Sequence, residues 1–318
     1  MTACVILAAG QGKRMKSTLP KVVHPVLGVP MVLRVVRQAR KTGLDEPVVV
    51  VGYGRDEVIP LLEAEGVPWA VQDRQLGTAH AVKCGLRGID ADSLIVLLGD
   101  VPLLRSETIE ALENDRREAG AAAAVLTTRL PDPSGYGRIV REWRMLRAIV
   151  EDRDCSPRQL EIGEINTGLM SFDGRLLPAL LEAIDSDNDQ GEYYLTDAVS
   201  IAAGKGLACV AVTAADHREV SGVNDRVQLA VATEYLRSAV VEGHLLDGVG
   251  IPDPGTVWIE ESVEIGTGVT LGRCVRLSGR TTVGDGSEIG DGCVLVDTAV
   301  PEGSRLEPYT VLGWKGSP

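Results

Sequence analysis

The run Leu7-Ala-Ala-Gly-Gln-Gly-Lys-Arg-Met15, followed closely by Leu19-Pro20-Lys21, is the most informative stretch of the sequence. The hydrophobic residues 4–7 predict a buried strand, and the small residues after them predict a loop at its end. The backbone of such a loop can approach a ligand closely and direct successive N–H groups at an anion. Arg14 and Lys21 add two positive charges. The stretch therefore predicts a strand-to-loop site that cradles a triphosphate.

Two better-known glycine loops do not fit this run. A dinucleotide-binding fingerprint requires a third glycine where Met15 stands, and a P-loop requires its first glycine where Val5 stands. For the glycine pair alone, a tight turn with two surface cations is the simpler interpretation. The full run with Pro20-Lys21 is much more specific and favours phosphate binding.

Composition and charge exclude several classes of protein. The chain has 318 residues, 44% of them hydrophobic, which is enough for more than one domain. Its net charge of -13 argues against a nucleic-acid partner. The six cysteines form no C-x-x-C pair, so we expect reduced thiols rather than disulfides or a zinc site. Because the sequence shows neither a secretory segment nor an apolar run of the ~20 residues that span a bilayer, we expect a soluble cytoplasmic protein with no membrane contact.

Short apolar runs alternate with amphipathic stretches up to about residue 222. Strands are predicted at residues 4–7, 47–51, 67–71 and 94–98, and helices at 31–42, 56–65, 78–87 and 106–118, with Ser106 as an N-cap. The unbroken apolar runs predict an α/β fold with a mostly parallel sheet covered by helices. Further strands are predicted at 123–128, 137–141, 146–151, 165–172 and 208–213, and further helices at 176–184, 195–203 and 225–246.

The last part of the chain has a different period. After Pro252 a hydrophobic residue recurs at every sixth position: Ile259, Ile265, Leu271, Leu277, Val283, Ile289 and Leu295. Hexapeptide periodicity predicts a parallel β-helix in which each side of a triangular coil holds one hexad. A glycine-rich antiparallel meander would instead alternate with period two. Because the hexads fade after Leu295, we expect a β-helix of about three coils.

The run Leu94-Ile-Val-Leu-Leu-Gly-Asp100-Val-Pro102 is the second strong signal. It places the Asp100 carboxylate at the carboxyl edge of a parallel sheet, where α/β folds bind ligands. A carboxylate there can hold Mg²⁺ against phosphate oxygens. A turn before Pro102 is the alternative role for this residue, but the nearby glycine loop favours the metal.

Gln72 follows the strand predicted at 67–71 and precedes Leu76-Gly-Thr-Ala-His80. A planar amide can donate to a carbonyl and accept from a ring N–H, which is what recognition of a uracil or thymine edge requires. Gly77 would let the backbone come close to that base. We expect His80 to be a helix residue rather than a catalytic base.

Further motifs follow the glycine loop in order: Gly77-Thr-Ala-His80, Gly99-Asp-Val-Pro102, Gly135-Tyr-Gly-Arg-Ile139, Ile149-Val-Glu151, Glu164-Ile-Asn-Thr-Gly168, Gln190-Gly-Glu-Tyr-Tyr-Leu-Thr-Asp197 and Gly222-Val-Asn-Asp-Arg226. Together they resemble the sugar nucleotidyltransferases. The closer resemblance is to the bifunctional N-acetylglucosamine-1-phosphate uridyltransferase/glucosamine-1-phosphate acetyltransferase family, which makes the bacterial cell-wall precursor UDP-N-acetylglucosamine. It covers roughly residues 1–246.

The resemblance implies a Rossmann-like nucleotidyltransferase domain over residues 1–224, a linking helix over 225–250 and a short left-handed β-helix over 251–318. It implies that UTP and N-acetylglucosamine 1-phosphate react with Mg²⁺ as cofactor. The implied uridine and phosphate contacts are Leu7, Ala8, Gly10, Gln72, Gly77, Thr78, Arg14 and Lys21. The implied amino-sugar contacts are Gly137, Glu151, Asn166 and Thr196, with Tyr194 nearby, and the implied Mg²⁺ ligands are Asp100 and Asn224.

Single positions in this set have structural alternatives. Gly137 can serve a tight turn, and Asn166 can satisfy the end of a strand. Asn224 can cap the helix predicted from residue 225. The joint occurrence of the set favours the functional interpretation.

The sequence departs from the family's pattern in three places. Lys13 stands where the family usually has Thr, and Leu98 stands where it usually has Tyr, which predicts a changed pocket wall. The family's β-helix continues for many more coils, which carry its acetyl-transfer residues, so acetyltransferase activity is not expected. The family assembles as trimers through this domain, so a trimer is the corresponding expectation. The alternatives are a nucleotidyltransferase for another hexose 1-phosphate with UTP or TTP, and a non-catalytic protein with a degenerate pocket.

Overall fold

A computed structural model describes residues 1–143 and 145–314 of the chain. The chain divides into two compact units. The first unit comprises Met1–His24 and Pro30–Gln228, and the second comprises Pro25–Val29 and the chain from Leu229 onward. The helix Arg226–Leu246 begins in the first unit and continues in the second.

The main sheet of the first unit is mostly parallel, as the apolar runs predicted. The first eleven strands of the chain are β1 (Thr2–Ala8), β2 (Pro25–Val26), β3 (Val29–Pro30), β4 (Val48–Val51), β5 (Trp69–Val71), β6 (Ser93–Leu98), β7 (Ala123–Arg129), β8 (Arg138–Glu142), β9 (Met145–Val150), β10 (Glu164–Asp173) and β11 (Cys209–Thr213). All except β2 and β3, which form a separate hairpin, belong to the main sheet. The sheet order is β11-β7-β10-β6-β1-β4-β5, with β8 paired to β10 and β9 paired to β8. β1 runs parallel to β4 and β6, whereas β10 runs antiparallel to β6 and β7.

Most of the predicted elements are confirmed, with ends shifted by at most two residues. The α-helices are α1 (Met31–Lys41), α2 (Arg55–Ala64), α3 (Thr78–Gly85), α4 (Ser106–Glu118), α5 (Pro157–Leu160), α6 (Leu177–Glu182), α7 (Asp197–Gly204) and α8 (Arg226–Leu246). The β2–β3 hairpin and α5 were not predicted, because elements of two to four residues carry too little periodicity to be detected. Within residues 1–143 and 145–314, none of the helices combines the length and the apolar character needed to cross a bilayer.

The prediction of Ser106 as an N-cap is wrong. Ser106 is the first residue of α4, preceded by Arg105 in an extended conformation, and its hydroxyl donates to Glu107 Oε2 (3.2 Å). The buried carboxylate of Glu219 holds this helix start, because it pairs with Arg105 and accepts from Thr108 Oγ1 (2.7 Å). A tertiary contact thus replaces the local cap.

The topology brings separate segments to one edge of the sheet. β1 and β6 end side by side, since Leu7 pairs in register with Leu98 and the Gly99 N–H donates to Leu7 O (2.9 Å). Because β10 is antiparallel to β6, its amino-terminal half reaches the same edge. A register shift between Asn166 and Met170 marks a bulge there. The glycine loop and this bulge therefore lie together where α/β folds bind ligands.

Short parallel strands recur along the second unit after α8: β12 (Trp258–Ile259), β13 (Glu264–Ile265), β14 (Thr270–Leu271), β15 (Arg276–Ser278), β16 (Thr282–Val283), β17 (Glu288–Ile289), β18 (Val294–Val296), β19 (Ala299–Val300), β20 (Arg305–Leu306) and β21 (Val311–Leu312). From β12 to β18, each strand pairs with the strand three places further on, as Trp258 pairs with Arg276 and Arg276 with Val294. The predicted hexad residues all contribute to the core of this unit, with Ile265 partly buried. This pattern fits a three-sided parallel β-helix.

The prediction that the hexads fade after Leu295 is wrong. Strand pairing continues through Val300 and Leu306 to Leu312. Val300 follows Leu295 after five residues instead of six, because the turn at Asp297 (φ +47°) is one residue shorter. A single shortened turn was enough to hide the continuing repeat. Residues 315–318 of the domain predicted at 251–318 lie outside the described residues.

The segment Pro25–Val29 packs within the second unit although it lies early in the sequence. Gly28 has φ +84°, and a Cβ at this position would lie 2.5 Å from the carboxyl carbon of Glu260. The same carboxylate accepts a hydrogen bond from the Gly279 N–H (2.8 Å). Gly28 is therefore required both by its backbone conformation and by the close approach of Glu260.

Gly85 and Gly204 provide a matched test of how α3 packs, since each is the last residue of a helix and neither has a positive φ. A Cβ on Gly85 would lie 2.8 Å from both Val5 Cγ1 and Val50 Cγ2, whereas Gly204 faces open space. We expect Gly85→Ala to lower the free energy of unfolding by about 1–3 kcal/mol through overpacking. Gly204→Ala should leave it unchanged or raise it by up to about 1 kcal/mol. Equal effects of the two substitutions in urea denaturation would contradict this packing.

Candidate functional site

Two adjoining cavities lie at the sheet edge that holds the glycine loop. The first has a volume of about 380 Å³. Its lining includes all six residues predicted to hold uridine, together with the predicted phosphate and metal residues Lys21 and Asp100: Leu7, Ala8, Gly10, Gln72, Gly77, Thr78, Lys21 and Asp100. The structure thus brings together residues that are far apart in the sequence.

The second cavity has a volume of about 260 Å³. Its lining contains most of the remaining predicted residues: Arg14, Gly137, Glu151, Asn166, Thr196 and Asn224. Leu7, Thr78, Leu98 and Asp100 line both cavities. Asp100 therefore stands where a ligand in one cavity would meet a ligand in the other.

The two glycines of the loop have different reasons to be glycine. Gly12 has φ +61°, and a Cβ there would lie 2.6 Å from Lys21 Cβ, so the fold itself excludes a side chain. Gly10 has no positive φ, and a Cβ there would meet nothing within 4 Å. The fold makes no demand for glycine at Gly10, and the space beside it belongs to the first cavity.

The Lys21 ammonium lies between two oxygen atoms from distant segments. It pairs with the Asp100 carboxylate and donates to Asn224 Oδ1 (2.9 Å). The backbone fixes this arrangement, because the Val223 N–H donates to the main-chain oxygen of Asp100 (2.8 Å). The sequence had assigned Lys21 to phosphate and the other two residues to metal. The structure joins all three in one cluster.

The donor set of this cluster fits a divalent cation that binds together with a phosphorylated ligand. Asp100 Oδ2 and Asn224 Oδ1 converge on one positive charge, the Lys21 ammonium, so the same oxygens can face a metal ion. Within the described ranges, no group of three or more His, Cys, Asp or Glu side chains is arranged to hold a metal. A cation held by two protein oxygens must take its other ligands from phosphate oxygens and water, which is the usual situation of Mg²⁺.

Asn224 does not cap α8, so the structural alternative considered for it is wrong. The Asp225 carboxylate accepts from the Gln228 N–H (2.9 Å), which makes Asp225 the N-cap of a helix that starts at Arg226. Gln228 Oε1 in turn accepts from the Asn224 N–H (2.7 Å). The side chain of Asn224 is thereby left to face Lys21 and the second cavity.

The amide of Gln72 has a fixed orientation. Its Nε2 donates to Gly77 O (3.0 Å) and lies 3.1 Å from His80 Nδ1. In the described part of the chain its Oε1 has no hydrogen-bond partner, and Gln72 lines the first cavity. The close approach that requires Gly77 is different from the one expected, because a Cβ there would lie 2.5 Å from the carbonyl oxygen of Tyr193.

The second cavity presents an acceptor and a donor side by side. The carboxylate of Glu151 accepts from Thr196 Oγ1 (3.3 Å) and lies against Gly137, where a Cβ would be 3.4 Å from Glu151 Oε2. Asn166 Oδ1 accepts from the Gly168 N–H (2.9 Å), which supports the bulge and leaves the amino group of this cavity-lining residue available as a donor. Burial raises the pKa of the Glu151 carboxyl, and the nearby carboxylates raise it further.

Arg14 is exposed on the second cavity, and its guanidinium has no ionic or hydrogen-bond partner among the described residues. Arg14 acts on the neighbouring Tyr136. Burial raises the pKa of the Tyr136 hydroxyl, and the positive charge of Arg14 partly opposes that rise. Lys13 is exposed and lines neither cavity. The free guanidinium is available to an anionic ligand.

Tyr194 is not in either cavity. It is 8% exposed, its hydroxyl accepts from Gln190 Nε2 (2.8 Å), and it lines a separate pocket beside Glu151. Sequence reasoning also missed several residues that line the two cavities: Ala9, Gln75, Glu192, Tyr136, Thr167 and Gly222. Ala9, Tyr136, Thr167, Glu192 and Gly222 lie inside motifs that were recognised, whereas Gln75 carried no signal of its own.

Leu98 forms part of the wall between the two cavities. It lies against the bulge of β10, since a Cβ on Gly168 would be 2.5 Å from Leu98 Cδ1. Gly168 also has φ +81°. An aliphatic side chain at residue 98 therefore depends on glycine in the neighbouring strand.

Comparison with known proteins identifies the class of protein. Residues 4–197 match the family model of the MobA-like NTP transferase domain. The structure resembles that of a protein described as a glucose-1-phosphate thymidylyltransferase from Bacillus anthracis, with a TM-score of 0.57 over 73% of this chain and 94% of that chain at 22% identity. This likeness shows the fold. The family model and the fold together define the chain as a nucleotidyltransferase.

Two relatives identify the family within this class. The chain is 43% identical to the bifunctional protein GlmU of Streptomyces avermitilis over 312 residues, which cover 96% of this chain and 65% of that protein. It is 40% identical to the bifunctional protein GlmU of Clostridioides difficile over 326 residues, which cover 97% of this chain and 71% of that protein. The chain belongs to the GlmU family. It spans about two thirds of the length of the curated relatives it matches.

The raised pKa of Glu151 makes its effect on stability depend on pH. A carboxyl whose pKa is higher in the folded than in the unfolded protein stabilises fully only below its unfolded value, and that contribution is lost as pH rises through the folded value. Glu151→Gln should therefore become increasingly more stable than the parent as pH rises above 4.5, the ordinary pKa of a glutamate side chain. The exposed residue Glu110 supplies the control Glu110→Gln, for which urea denaturation should give no such divergence. Parallel stability curves for the parent and Glu151→Gln would contradict the burial argument.

Proposed function

We propose that this nucleotidyltransferase is an N-acetylglucosamine-1-phosphate uridyltransferase, which converts UTP and N-acetylglucosamine 1-phosphate into UDP-N-acetylglucosamine and pyrophosphate in cell-wall precursor synthesis. The observation that carries the proposal is the junction of the two cavities at Asp100 and Lys21. One cavity has a base-recognition side chain and the other a polar sugar lining. The reacting phosphates then meet at the charged cluster.

The first cavity is assigned to UTP. Gln72 lines the cavity, and its Oε1, which has no hydrogen-bond partner in the described chain, can accept from the N3–H of uracil. The open space at Gly10 lets the nucleotide approach the loop backbone, and Leu7, Ala8, Gly77 and Thr78 complete the lining. Thymine has the same N3–H, so this edge alone does not separate UTP from TTP.

The second cavity is assigned to N-acetylglucosamine 1-phosphate. An N-acetyl group carries an N–H donor and a carbonyl acceptor, and sugar hydroxyls do both. The Glu151 carboxylate and the Asn166 amino group offer the complementary acceptor and donor, with Gly137 and Thr196 beside them. Tyr194 is assigned a place near the sugar rather than in contact with it, because it lines the neighbouring pocket that also includes Glu151.

The chemistry needs positioning and charge neutralisation more than proton transfer. An oxygen of the sugar phosphate forms a bond to the α-phosphorus of UTP, and the bond from that phosphorus to the pyrophosphate oxygen breaks. The attacking phosphate is already an anionic nucleophile, so no general base is required. Arg14, which has no protein partner in the described chain, is placed to stabilise phosphate charge. When phosphates bind, Lys21 exchanges its contacts with Asp100 and Asn224 for contacts with phosphate oxygens.

Asp100 and Asn224 would hold Mg²⁺ in this proposal. When bound there, the ion would neutralise phosphate charge and polarise the α-phosphorus. The convergence of their two oxygens on the Lys21 ammonium supports this assignment.

The proposal assigns catalysis to residues 1–224, linkage to 225–250, and association to a left-handed β-helix over 251–318. Trimer formation through that β-helix and a cytoplasmic location are part of the same proposal. Acetyl transfer is not assigned to the coils present here. A nucleotidyltransferase for another hexose 1-phosphate is the remaining candidate, because the Gln72 acceptor suits thymine as well as uracil.

A substrate panel tests this assignment directly. The purified protein is incubated with Mg²⁺, UTP and N-acetylglucosamine 1-phosphate, with pyrophosphate release as the readout. Glucose 1-phosphate and TTP replace the sugar and the nucleotide in parallel reactions. Release that is fastest with the first pair supports the proposal, preference for another pair favours the other candidate, and no release with any pair contradicts catalysis.

Asp100→Asn tests the charged junction. It keeps the side-chain shape and leaves the main-chain bond from Val223 to Asp100 in place. Because one charge-stabilising group is lost, we expect kcat/KM for pyrophosphate release to fall about 100- to 1000-fold. The exposed Asp115 supplies the control Asp115→Asn, which should keep full activity. Near-normal turnover of Asp100→Asn would remove this residue from the proposed metal site.

Substitutions at the two loop glycines separate an effect on nucleotide binding from an effect on folding. Gly10→Ala should leave the free energy of unfolding within about 0.5 kcal/mol of the parent, because its Cβ meets open space. It should weaken UTP binding in calorimetry at least about tenfold. Gly12→Ala should lower the free energy of unfolding by about 1–2 kcal/mol, owing to its positive φ and its contact with Lys21. Unchanged UTP affinity in Gly10→Ala would place the nucleotide elsewhere.

A further inference from the structure

We propose that His80 is a positioning residue for base selection. It accepts the second amide proton of Gln72, so only the amide oxygen of that side chain is left to contact the base. This inference rests on the proposed binding of a uracil nucleotide in the first cavity. The sequence pattern had suggested no role for His80 beyond its place in a helix.

The orientation of the Gln72 amide follows from a group that cannot change its role. Gly77 O is a backbone carbonyl, so it only accepts, and the atom 3.0 Å from it must be the amide nitrogen of Gln72. The same nitrogen lies 3.1 Å from His80 Nδ1. An amide nitrogen carries two protons, so these two partners use both of them.

The identity of the second partner fixes the tautomer of His80. Since Gln72 Nε2 has only protons to offer, His80 Nδ1 must accept, and the imidazole is neutral with its proton on Nε2. That Nε2 lies 3.8 Å from the sulfur of Cys84, which is one helical turn further along α3. The sulfur is a weak acceptor. The residues Gln72, His80 and Cys84 therefore form one directed chain of hydrogen bonds.

This chain is held by the fold; its two end members are buried, and His80 between them is partly buried. Gln72 is 4% exposed, and Cys84 is buried to the same degree. The Gln72 N–H donates to Val51 O (2.8 Å), and Gly77 O also accepts from the Ala81 N–H (3.2 Å). Neither the amide nor the carbonyl can turn without breaking a backbone contact.

The consequence is a pocket edge that accepts but does not donate. Uracil presents an N3–H donor to such an acceptor, whereas cytosine presents an N3 acceptor, which would face the Gln72 oxygen without a proton between them. A buried polar group left unpaired is costly, so the fixed amide favours UTP over CTP. His80 contributes by holding the second proton away from the ligand.

Three substitutions at residue 80 separate this role from helix packing. In His80→Asn the side-chain oxygen occupies the position of Nδ1 and can accept from Gln72. In His80→Gln the polar group extends to the position of Nε2, and in His80→Leu no polar group remains. We expect His80→Asn to keep KM for UTP within about threefold of the parent, and the other two to raise it about tenfold. Their kcat should change much less than KM.

The readout is KM and kcat for UTP and for CTP with N-acetylglucosamine 1-phosphate, with circular dichroism to verify folding. Rescue by Asn but not by Gln, with a fall in the UTP-to-CTP ratio of kcat/KM in His80→Gln and His80→Leu, supports the positioning role. Equal KM for UTP in all three variants and the parent would overturn it, as would a loss confined to kcat. Failure of the parent protein to turn over UTP would contradict the proposed function instead, so the two outcomes are distinguishable. If His80→Leu does not fold, the comparison of Asn with Gln still decides.

Discussion

The pairing of one ammonium with two oxygens organises the candidate site. Lys21 meets Asp100 across 79 residues of sequence and Asn224 across 203, so it joins the loop after β1, the end of β6 and the segment before α8. A partly buried carboxylate or ammonium without its partner would be costly, so each charge holds the other in place. The site is therefore ordered before a ligand arrives, which is the condition for electrostatic catalysis.

Features that the fold does not need distinguish the ligand-binding surface from the scaffold. Gly12 and Gly77 are glycine because a side chain would collide with the protein, whereas Gly10 has open space at the same loop. The pKa of the Glu151 carboxyl is raised because its burial disfavours the charged form, so an ionisable group stands where the fold gives it no advantage. Residues that lower stability and make no contribution to the fold are expected where a protein binds its ligand.

The sequence predicted much of this arrangement because its signals were local or repeated. Long apolar runs and amphipathic helices carry enough periodicity to be placed within two residues. The failures came where a tertiary contact replaced the local rule. Glu219 holds the helix start expected of Ser106, and one shortened turn at Asp297 hid the last strands of the β-helix. The position of Tyr194 outside both cavities could not be known from its motif.

By itself, the sequence determined the α/β class and the hexad-based coil, because these follow from periodicity. It also supplied the set of residues expected to meet at the sheet edge, through motifs that resemble those of a known family. Only the tertiary structure decided that Lys21 lies between Asp100 and Asn224, and that His80 Nδ1 lies beside the amide nitrogen of Gln72. Such partnerships depend on side-chain directions and on distances across the sheet and loops. No pattern along the chain encodes these quantities, because they are fixed only when the strands have paired and the helices have packed.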